Sequence, residues 1–483
     1  MPIETFRNHI GGEWVASASG RLFDDSNPAD TREVVARFQA STEDDALAAV
    51  RAAQAAFAAW RATPITKRAK ILHDAAARLD ARADAFAAEL TREEGKPLAQ
   101  AKDEFARAAQ TLRFYAVEGQ TFGGEVYPND DPDLQVYSLR EPLGVVTVIS
   151  PWNFPVSIPS RKIAPALVTG NTVVFKPSSD APLAGYRLAE ALIESGLPAG
   201  ALNFITGSAA QVGPAIVESP EVRAITFTGS TAAGERIHRS APLTTRVQLE
   251  LGGKNPLIVM DDADLDRAVD LAIKGGLSLS GQACTGTSRI FVMKAVADAF
   301  VDKLAAKMRA LKIGSGMTPG MDIGPMATAA QLETVLEYVA IGKREATHVL
   351  GGERLAQGDL AHGWYVSPAL FTGVRNDMRI AQEEIFGPVL AVITVGSYAE
   401  AIAQANDSRY GLAAAIATRN PRVMHDFERD IEAGTVKINR TTTGNLINAP
   451  FGGLKGSSTS TFRESGRAAL EFFTQIKTVY RGV

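Results

Sequence analysis

The chain has 483 residues, of which 46% are hydrophobic and 22% are charged, and its formal net charge is −4. This length is too great for one hydrophobic core and predicts two or three domains. The small negative charge gives no bulk attraction to nucleic acid or to an anionic membrane, and no apolar run reaches the length of a membrane span. We therefore expect neither nucleic acid nor a membrane as a partner.

Cysteine and histidine are too sparse for a disulfide framework or a zinc site. Cys284 is the only cysteine, and the six histidines are scattered. One unpaired cysteine fits a reducing compartment. The first fourteen residues carry charges and lack the apolar core of a secretory signal. The sequence thus predicts a cytoplasmic protein that holds no metal.

The first part of the chain has helical periodicity. The pattern predicts a helix over 41–61, with Ser41 or Thr42 as its N-cap. A second long helix is predicted over 66–94, where a Gly-Lys-Pro sequence ends it, and a third over 99–115.

Short β-branched runs then alternate with helix-like segments. The predicted strands are 145–149, 172–175, 202–205, 224–227 and 257–260, and the helices between them include 183–195 and 209–217. Nearly continuous apolar strands indicate a parallel sheet that is covered on both faces. Such a sheet is typical of a nucleotide-binding α/β domain, in which ligands collect at the carboxyl ends of the strands.

A second alternation of strands and helices follows Cys284. It predicts strands at 289–292, 389–395 and 435–439 and helices at 296–311 and 329–345. This pattern indicates a second α/β domain. The segments 122–140 and 475–480 look like extended strands outside both sheets, which either join a neighbouring subunit or form local hairpins.

The sequence around Cys284 has two interpretations. Free cysteine is among the most often buried residue types, which favours a small core residue. Its neighbours are glycines, threonines and a serine, which favour an accessible turn whose backbone N–H groups lower the thiol pKa. Local composition alone supports the core residue and the catalytic nucleophile about equally.

Four further segments stand out. Three lie at the ends of predicted strands: Pro-Trp-Asn-Phe-Pro at 151–155, Phe-Lys-Pro-Ser-Ser at 175–179 and Phe-Thr-Gly-Ser at 227–230. The fourth, Glu-Leu-Gly-Gly-Lys at 250–254, places a carboxylate before a glycine pair. Gly229 to Gly234 alone fits an ordinary strand-to-helix turn, although Ser230 and a helix N-terminus also suit a phosphate. Lys176 is costly to bury without a partner, so it either contacts a ligand or extends to solvent.

Together with Glu-Glu-Ile-Phe-Gly-Pro at 383–388 and Pro-Phe-Gly-Gly at 450–453, these segments resemble the aldehyde dehydrogenase superfamily over almost the whole chain. The resemblance implies a Rossmann-like cofactor domain, a second α/β catalytic domain and a small β oligomerisation arm. The implied limits are 1–121 and 144–254 for the cofactor domain, 255–452 for the catalytic domain, and 122–143 and 470–483 for the arm. A homodimer or homotetramer is implied as well.

The resemblance also implies the catalytic residues Cys284, Glu250, Asn153 and Lys176. Cys284 would attack an aldehyde to form a thiohemiacetal and then a thioester. The Asn153 amide and the Cys284 backbone N–H would form the oxyanion hole. Glu250 would be the general base, a role for which burial raises a carboxyl pKa.

A nicotinamide cofactor is implied, with Lys176 on the adenosine ribose. The implied cofactor residues are Trp152, Lys176, Ser179, Gly229, Ser230, Gly234, Leu251, Glu384 and Phe386. Relatives that are strict for NAD tend to carry glutamate where this chain has Ser179. Loss of that charge, with a hydroxyl donor in its place, predicts use of both NAD and NADP or a preference for NADP.

The implied substrate residues are Arg161, Phe154 and Arg440. Semialdehyde-oxidising relatives resemble this chain in having arginine at position 161, and a guanidinium there suits a substrate carboxylate. The small residues Ser278 and Ser280 predict a roomy, polar pocket. The Gly-Gln-x-Cys-Thr-x-Thr-Ser-Arg sequence and the ending Phe-Arg-Glu-Ser-Gly look most like 2,5-dioxopentanoate (α-ketoglutaric semialdehyde) dehydrogenases.

Several alternatives stay open. The main interpretation is that the enzyme oxidises a carboxylated semialdehyde such as 2,5-dioxopentanoate. The alternative substrates for the same reaction are succinate semialdehyde and an uncharged aliphatic or aromatic aldehyde. An acylating relative would pass the thioester to coenzyme A, but Glu250 favours hydrolysis. A non-catalytic binding or structural protein on the same fold is disfavoured, because Cys284, Glu250, Asn153 and Lys176 are all present.

Overall fold

The computed structural model describes residues 3–482, and the predicted domain limits at 1 and 483 lie outside them. The strands are β1 (Asn8–Ile10), β2 (Glu13–Val15), β3 (Leu22–Ser26), β4 (Val34–Gln39), β5 (Val126–Tyr127), β6 (Leu134–Pro142), β7 (Val145–Ile149), β8 (Thr172–Lys176), β9 (Leu202–Phe204), β10 (Val222–Thr228), β11 (Arg246–Glu250), β12 (Asn255–Val259), β13 (Thr287–Met293), β14 (Thr347–Leu350), β15 (Arg354–Leu355), β16 (Tyr365–Val366), β17 (Ala369–Thr372), β18 (Val389–Val395), β19 (Tyr410–Gly411), β20 (Ala413–Ala417), β21 (Thr435–Ile438), β22 (Leu454–Lys455) and β23 (Thr474–Gly482). The α-helices are α1 (Glu43–Ala62), α2 (Ile65–Ala81), α3 (Ala83–Glu94), α4 (Leu98–Thr121), α5 (Ser157–Val168), α6 (Pro182–Glu194), α7 (Ala209–Val217), α8 (Thr231–Ser240), α9 (Leu265–Leu277), α10 (Ala297–Arg309), α11 (Ala329–Glu345), α12 (Arg379–Gln382), α13 (Tyr398–Asn406), α14 (Pro421–Asp430) and α15 (Gly466–Phe472).

The first sheet has the strand order β11-β10-β7-β8-β9-β1-β2. It is parallel from β11 to β9 and ends in the antiparallel strands β1 and β2. The chain runs from β7 outward to β9 on one side and then returns to β10 on the other. The loops after β7 and β10 therefore flank the point where the strand order reverses, which is where open α/β sheets bind ligands.

The second sheet has the order β14-β17-β18-β13-β12-β20-β21 and is parallel except for β14 at its edge. Its strands lie within residues 255–438, whereas those of the first sheet lie within 8–250. The two α/β units predicted from the sequence are thus confirmed. The proposed limit at 254 falls between the last strand of one sheet and the first strand of the other.

The long helix predicted over 66–94 is wrong as a single helix. It divides at Arg82, whose backbone N–H turns back to the carbonyls of Asp80 and Leu79. α3 then ends at Gly95, whose φ of 94° is a left-handed conformation that favours glycine. At α1, Thr42 forms the cap through a reciprocal capping box with Asp45, while Ser41 accepts a hydrogen bond from Asn8.

The extended segments near 122–140 and 475–480 pair with each other. β23 runs antiparallel to β6 along its whole length, and β5 adds a short third strand. The predicted arm segment 470–483 begins too early, since Leu470, Phe472 and Phe473 are buried in the apolar core around the first sheet. Within residues 3–482, no helix combines the length and apolarity needed to cross a bilayer.

Candidate active site

A cavity of about 450 Å³ is lined by several of the side chains that the sequence singled out for chemistry. Cys284, Glu250, Phe154 and Arg161 line it, together with residues of α4 and the loop before β22. These groups come from five separate parts of the chain. The fold therefore brings the predicted nucleophile, the predicted base and a cation to one cavity.

The backbone before Cys284 adopts a left-handed turn. Leu279, Ser280 and Gly281 have φ values of 53°, 54° and 73°. A Cβ atom at Gly281 would lie 2.2 Å from the Gly387 carbonyl oxygen, so glycine is required there. The Ser280 hydroxyl is buried and donates to the Gly324 carbonyl at 2.9 Å. Ser280 consequently holds the turn and does not widen the pocket as predicted, whereas Ser278 lines the cavity.

Cys284 is held as a neutral thiol. Burial raises its pKa to about 12, and the charges of Glu384, Glu250 and Glu464 act in the same direction. Arg161 opposes them. The prediction that backbone N–H groups lower this pKa is wrong for the resting chain, because burial outweighs them. A nearby base is thus needed to form the thiolate.

Asn153, in the loop after β7, is buried beside the nucleophile turn. Its Nδ2 donates to the Gln282 carbonyl at 2.9 Å, which leaves its second N–H for another acceptor. Its own carbonyl accepts from Lys96 Nζ at 2.8 Å. The amide of Asn153 is therefore fixed at both its backbone and its side chain.

Two buried charges hold the Asn153 loop, and we call Lys96 and Glu104 the Lys96–Glu104 clamp. Lys96 Nζ bonds one carboxylate oxygen of Glu104. The other oxygen of Glu104 accepts from the backbone N–H groups of Val156 and Ser157 at 3.0 and 3.1 Å, at the start of α5. A carboxylate at a helix N-terminus is electrostatically favourable. The clamp thus joins α4, the Asn153 loop and α5.

Glu250 ends β11 with its carboxyl group in the cavity. Burial, and next the Glu464 carboxylate, raise the pKa of Glu250 well above its usual range, while Lys162 lowers it. Its Oε2 is buried and has no hydrogen-bond partner among residues 3–482. An unpaired buried carboxyl oxygen with a raised pKa is suited to accept a proton from a thiol or a water.

Lys162 and Glu464 were not among the residues predicted from the sequence. They form a buried ion pair, and Lys162 Nζ also donates to Thr226 at 2.9 Å. Glu464 lines the cavity beside Glu250. The signals were present, since a charged residue interrupts the apolar pattern of α5 and Glu464 lies in the Phe-Arg-Glu-Ser-Gly ending.

Lys176 lies at the carboxyl end of β8 and is 5% exposed. Burial lowers its pKa to about 8, and its Nζ donates to the Pro177 carbonyl. Ser179, in the loop that follows, is half-buried and donates its hydroxyl to the Gly207 carbonyl at 3.0 Å. A buried ammonium at the carboxyl end of a sheet strand, with hydrogens left to donate, suits the ribose hydroxyls of a dinucleotide.

The loop after β10 leads into α8, where Ser230 is the N-cap and accepts from Ala233 N at 3.3 Å. Gly229 precedes that cap. A Cβ atom at Gly234 would lie 2.4 Å from the Leu251 side chain, so glycine lets the helix pack against the strand end. The free N–H groups of this helix start fit a phosphate.

Glu384 and Phe386 come from the loop before β18. Glu384 accepts from the Gly253 backbone N–H at 2.8 Å, and burial raises its pKa to about 7. The Phe386 ring lies edge-on to Trp152, with 5.4 Å between the ring centroids. These contacts place the predicted nicotinamide-side residues next to the glycines that follow Glu250.

The predicted substrate residues Arg161 and Arg440 lie in different places. The guanidinium of Arg161 lies 5.7 Å from the Phe451 ring, and its Nε is buried without a hydrogen-bond partner in the described chain. Arg440 is exposed just after β21 and is not among the residues that line this cavity. The preceding Asn439 has a φ of 53° and pairs with Thr418, which turns the chain away.

Comparison with known proteins identifies the fold. Residues 14–479 match the model of the aldehyde dehydrogenase family. The chain is 45% identical over 478 residues to an alpha-ketoglutaric semialdehyde dehydrogenase of Bacillus subtilis, covering 99% of this chain and 98% of the relative.

Solved structures agree. Betaine aldehyde dehydrogenase from Staphylococcus aureus, in complex with NAD+, is 36% identical with a TM-score of 0.95, over 98% of this chain and 94% of that one. An NADP-dependent enzyme of E. coli is also 36% identical with a TM-score of 0.95, over 99% and 98% of the two chains. The chain belongs to the aldehyde dehydrogenase family and is an NAD(P)-dependent aldehyde dehydrogenase.

Proposed function

We propose that this enzyme oxidises a carboxylated semialdehyde, such as 2,5-dioxopentanoate, to a dicarboxylic acid. The observation that carries the proposal is Arg161, which lines the cavity of Cys284 and has a buried Nε without a partner in residues 3–482. A guanidinium binds a carboxylate through two parallel hydrogen bonds. The Bacillus subtilis relative, named for such a substrate, supports the same assignment.

The first chemical step joins the substrate to the enzyme. Glu250 takes the thiol proton of Cys284, and the thiolate attacks the aldehyde carbon to form a thiohemiacetal. Asn153 Nδ2 and the Cys284 backbone N–H donate to the oxyanion, each worth about 3–4 kcal/mol. A bound oxidised nicotinamide cofactor would supply the acceptor for the hydride of the thiohemiacetal carbon. A thioester to Cys284 remains.

The second step releases the acid. Once Glu250 has given up the proton that it took from the thiol, it takes a proton from a water molecule. The water oxygen attacks the thioester carbon, and the carbon–sulfur bond breaks to return the thiolate. We infer that Glu464, paired with Lys162, receives the proton from Glu250 and restores the base. The two carboxyl groups lie in one cavity but differ in environment, which separates an acid role from a base role.

We also propose that the enzyme uses both NAD and NADP, and that Lys176 and the start of α8 bind the adenosine ribose and the phosphates. Support comes from the lack of a carboxylate at Ser179, not from its hydroxyl, which already donates to Gly207. The negative charge of Asp180 lies close enough to Lys176 to raise the pKa of Lys176. Because the same charge would repel a 2′-phosphate, a strict preference for NADP is not expected. An NAD preference of more than about a hundredfold in kcat/KM, or 2.7 kcal/mol, would contradict dual use.

Three further assignments are part of the proposal. The cofactor domain comprises 144–254 and the described part of 1–121, and the catalytic domain comprises 255–452. The β5–β6–β23 sheet joins subunits into a dimer or tetramer. The single cysteine, kept as a thiol, supports a cytoplasmic location.

The function is tested by initial rates with 2,5-dioxopentanoate, succinate semialdehyde and pentanal, for the wild type and Arg161→Leu. We expect the carboxylated substrates to lead and to lose at least about tenfold in kcat/KM in the variant, as for a hydrogen bond to a charged group. Pentanal should change less than about threefold. If pentanal leads and the variant matches the wild type, the semialdehyde assignment fails. Added coenzyme A should leave the rate unchanged.

A further inference from the structure

A second arginine lines the Cys284 cavity. Arg107, on α4, is half-buried there and was not predicted from the sequence. Burial lowers its pKa, and the charge of Arg161 lowers it further, so the two guanidiniums are within electrostatic reach of each other. Arg107 is also within electrostatic reach of Lys437, since burial and then the charge of Arg107 lower the pKa of Lys437. Lys437 Nζ donates to the Gly444 carbonyl at 2.6 Å.

The acidic groups of the cavity do not neutralise this pair. Glu104 is bonded to Lys96, and Glu464 is bonded to Lys162. Glu250 forms no ion pair with either guanidinium among the described residues. Asp103 is exposed one helical turn before Arg107. Among residues 3–482, no carboxylate oxygen lies within 4.0 Å of a nitrogen of Arg107 or Arg161.

Two unneutralised cations that face one cavity repel each other, and an anionic ligand removes that cost. A simple carboxylate is satisfied by the fork of one guanidinium. A second guanidinium provides further donors in a fixed plane. A 2-oxo carboxylate matches the two forks, because it presents the 2-oxo oxygen beside the two carboxylate oxygens.

We propose that Arg107 and Arg161 together bind the 2-oxo carboxylate end of the substrate, with Arg107 as the residue that selects a 2-oxo semialdehyde over a plain one. This inference rests on the proposed function and deepens it. Arg161 then accounts for the carboxylate, and Arg107 accounts for the 2-oxo group.

Three aldehydes of five carbons separate these contributions: 2,5-dioxopentanoate, 5-oxopentanoate and pentanal. Arg107→Leu is expected to lower kcat/KM for 2,5-dioxopentanoate at least about tenfold, and for the other two less than about threefold. Arg107→Lys keeps the charge but not the fork and should lose most of the 2-oxo preference. Arg161→Leu should weaken both carboxylated substrates.

Arg113→Leu is the matched control. Arg113 lies on the same helix, pairs with Asp80 and is outside the cavity. The variant should therefore oxidise the three aldehydes at the rates of the wild type. Inhibition by the two possible acid products adds a readout without turnover. 2-Oxopentanedioate should inhibit the wild type more strongly than pentanedioate, and Arg107→Leu should abolish that difference.

Equal losses on all three aldehydes, or no loss with 2,5-dioxopentanoate, would overturn the role of Arg107. The two proposals also fail separately. If the wild type oxidises pentanal best, the proposed function is wrong. If 2-oxopentanedioate still inhibits that enzyme more strongly, and only while Arg107 is present, the two-arginine site stands.

Discussion

The charge state of Cys284 determines how the resting enzyme responds to electrophiles. Its thiol is surrounded by three carboxyl groups and one guanidinium, and burial adds to the effect of the carboxyl groups. A thiol with a pKa of about 12 is almost wholly protonated at neutral pH. The enzyme is thereby protected from adventitious alkylation until a base removes the proton.

We expect the rate of Cys284 alkylation by iodoacetamide to rise about tenfold per pH unit from pH 7 to 9, without a plateau, since only the thiolate reacts. The sign follows from the raised pKa: the reactive form grows as pH approaches 12 from below. Mass spectrometry of the intact protein measures the rate. Cys284→Ser is the control and should take up no label, because the chain has no other cysteine. A plateau near neutral pH would show a thiolate and contradict this environment.

The motif residues of the site were accessible from sequence, but their partners were not. Cys284, Glu250 and Asn153 lie in short segments that are recognisable one at a time. Lys162 and Glu464 are 302 positions apart, and nothing in either sequence segment identifies the other residue as its partner. Arg107 looks like any charged residue of an amphipathic helix until the fold places it in the cavity. Contacts over such separations depend on tertiary packing.

At the scale of elements, the Lys96–Glu104 clamp sets where the oxyanion donor lies. Lys96 follows α3, Glu104 belongs to α4, and their hydrogen bonds end on the loop and helix that follow β7. Both side chains are buried. Loss of Lys96 leaves the Glu104 carboxylate without its ionic partner, at a cost of about 3–5 kcal/mol. The clamp is a positioning device, since it acts on the Asn153 backbone.

Lys96→Met should lower kcat at least about tenfold, because a displaced oxyanion donor stabilises the transition state less. The dissociation constant of NADP should stay unchanged, since the cofactor residues do not touch the clamp. Steady-state rates give kcat, and a fluorescence titration gives the dissociation constant of NADP. Lys96→Arg should restore part of kcat. Lys102→Met, on an exposed pair with Asp84, is the control. Equal losses in rate and cofactor affinity would instead indicate general unfolding.

The elements that sequence reasoning located differ physically from those it missed. Buried parallel strands such as β7 and β18 are β-branched runs and were predicted within a residue or two. β20 is almost entirely alanine, which favours helices, and only burial between two strands makes it extended. β11 alternates polar and apolar residues because it is the sheet edge, and it was missed for that reason.

For the whole molecule, the sheet of β5, β6 and β23 exposes apolar side chains that isolated proteins usually cover. Val126 is 84% exposed, Ile476 58% and Tyr480 71%. Clustered exposed apolar residues mark interaction surfaces. Because this surface belongs to the proposed arm, a second copy of the chain is its expected partner.

Ile476→Lys combined with Tyr480→Lys should shift the assembly toward smaller species, because two buried ammonium groups per subunit would need partners. Light scattering after size exclusion measures the mass. Leu22→Lys, a partly exposed residue of β3 outside the arm, should leave the assembly unchanged. An unaltered mass for the double variant would assign the subunit contacts to another surface.

The pairing of β6 with β23 also sets an order of events during synthesis. Residues 474–482 are translated after every other described strand, yet they complete a sheet that begins at residue 126. Glu464 and α15 leave the ribosome only shortly before them. A nascent chain therefore acquires its arm and the last carboxylate of its cavity almost together, so a prematurely terminated product lacks both.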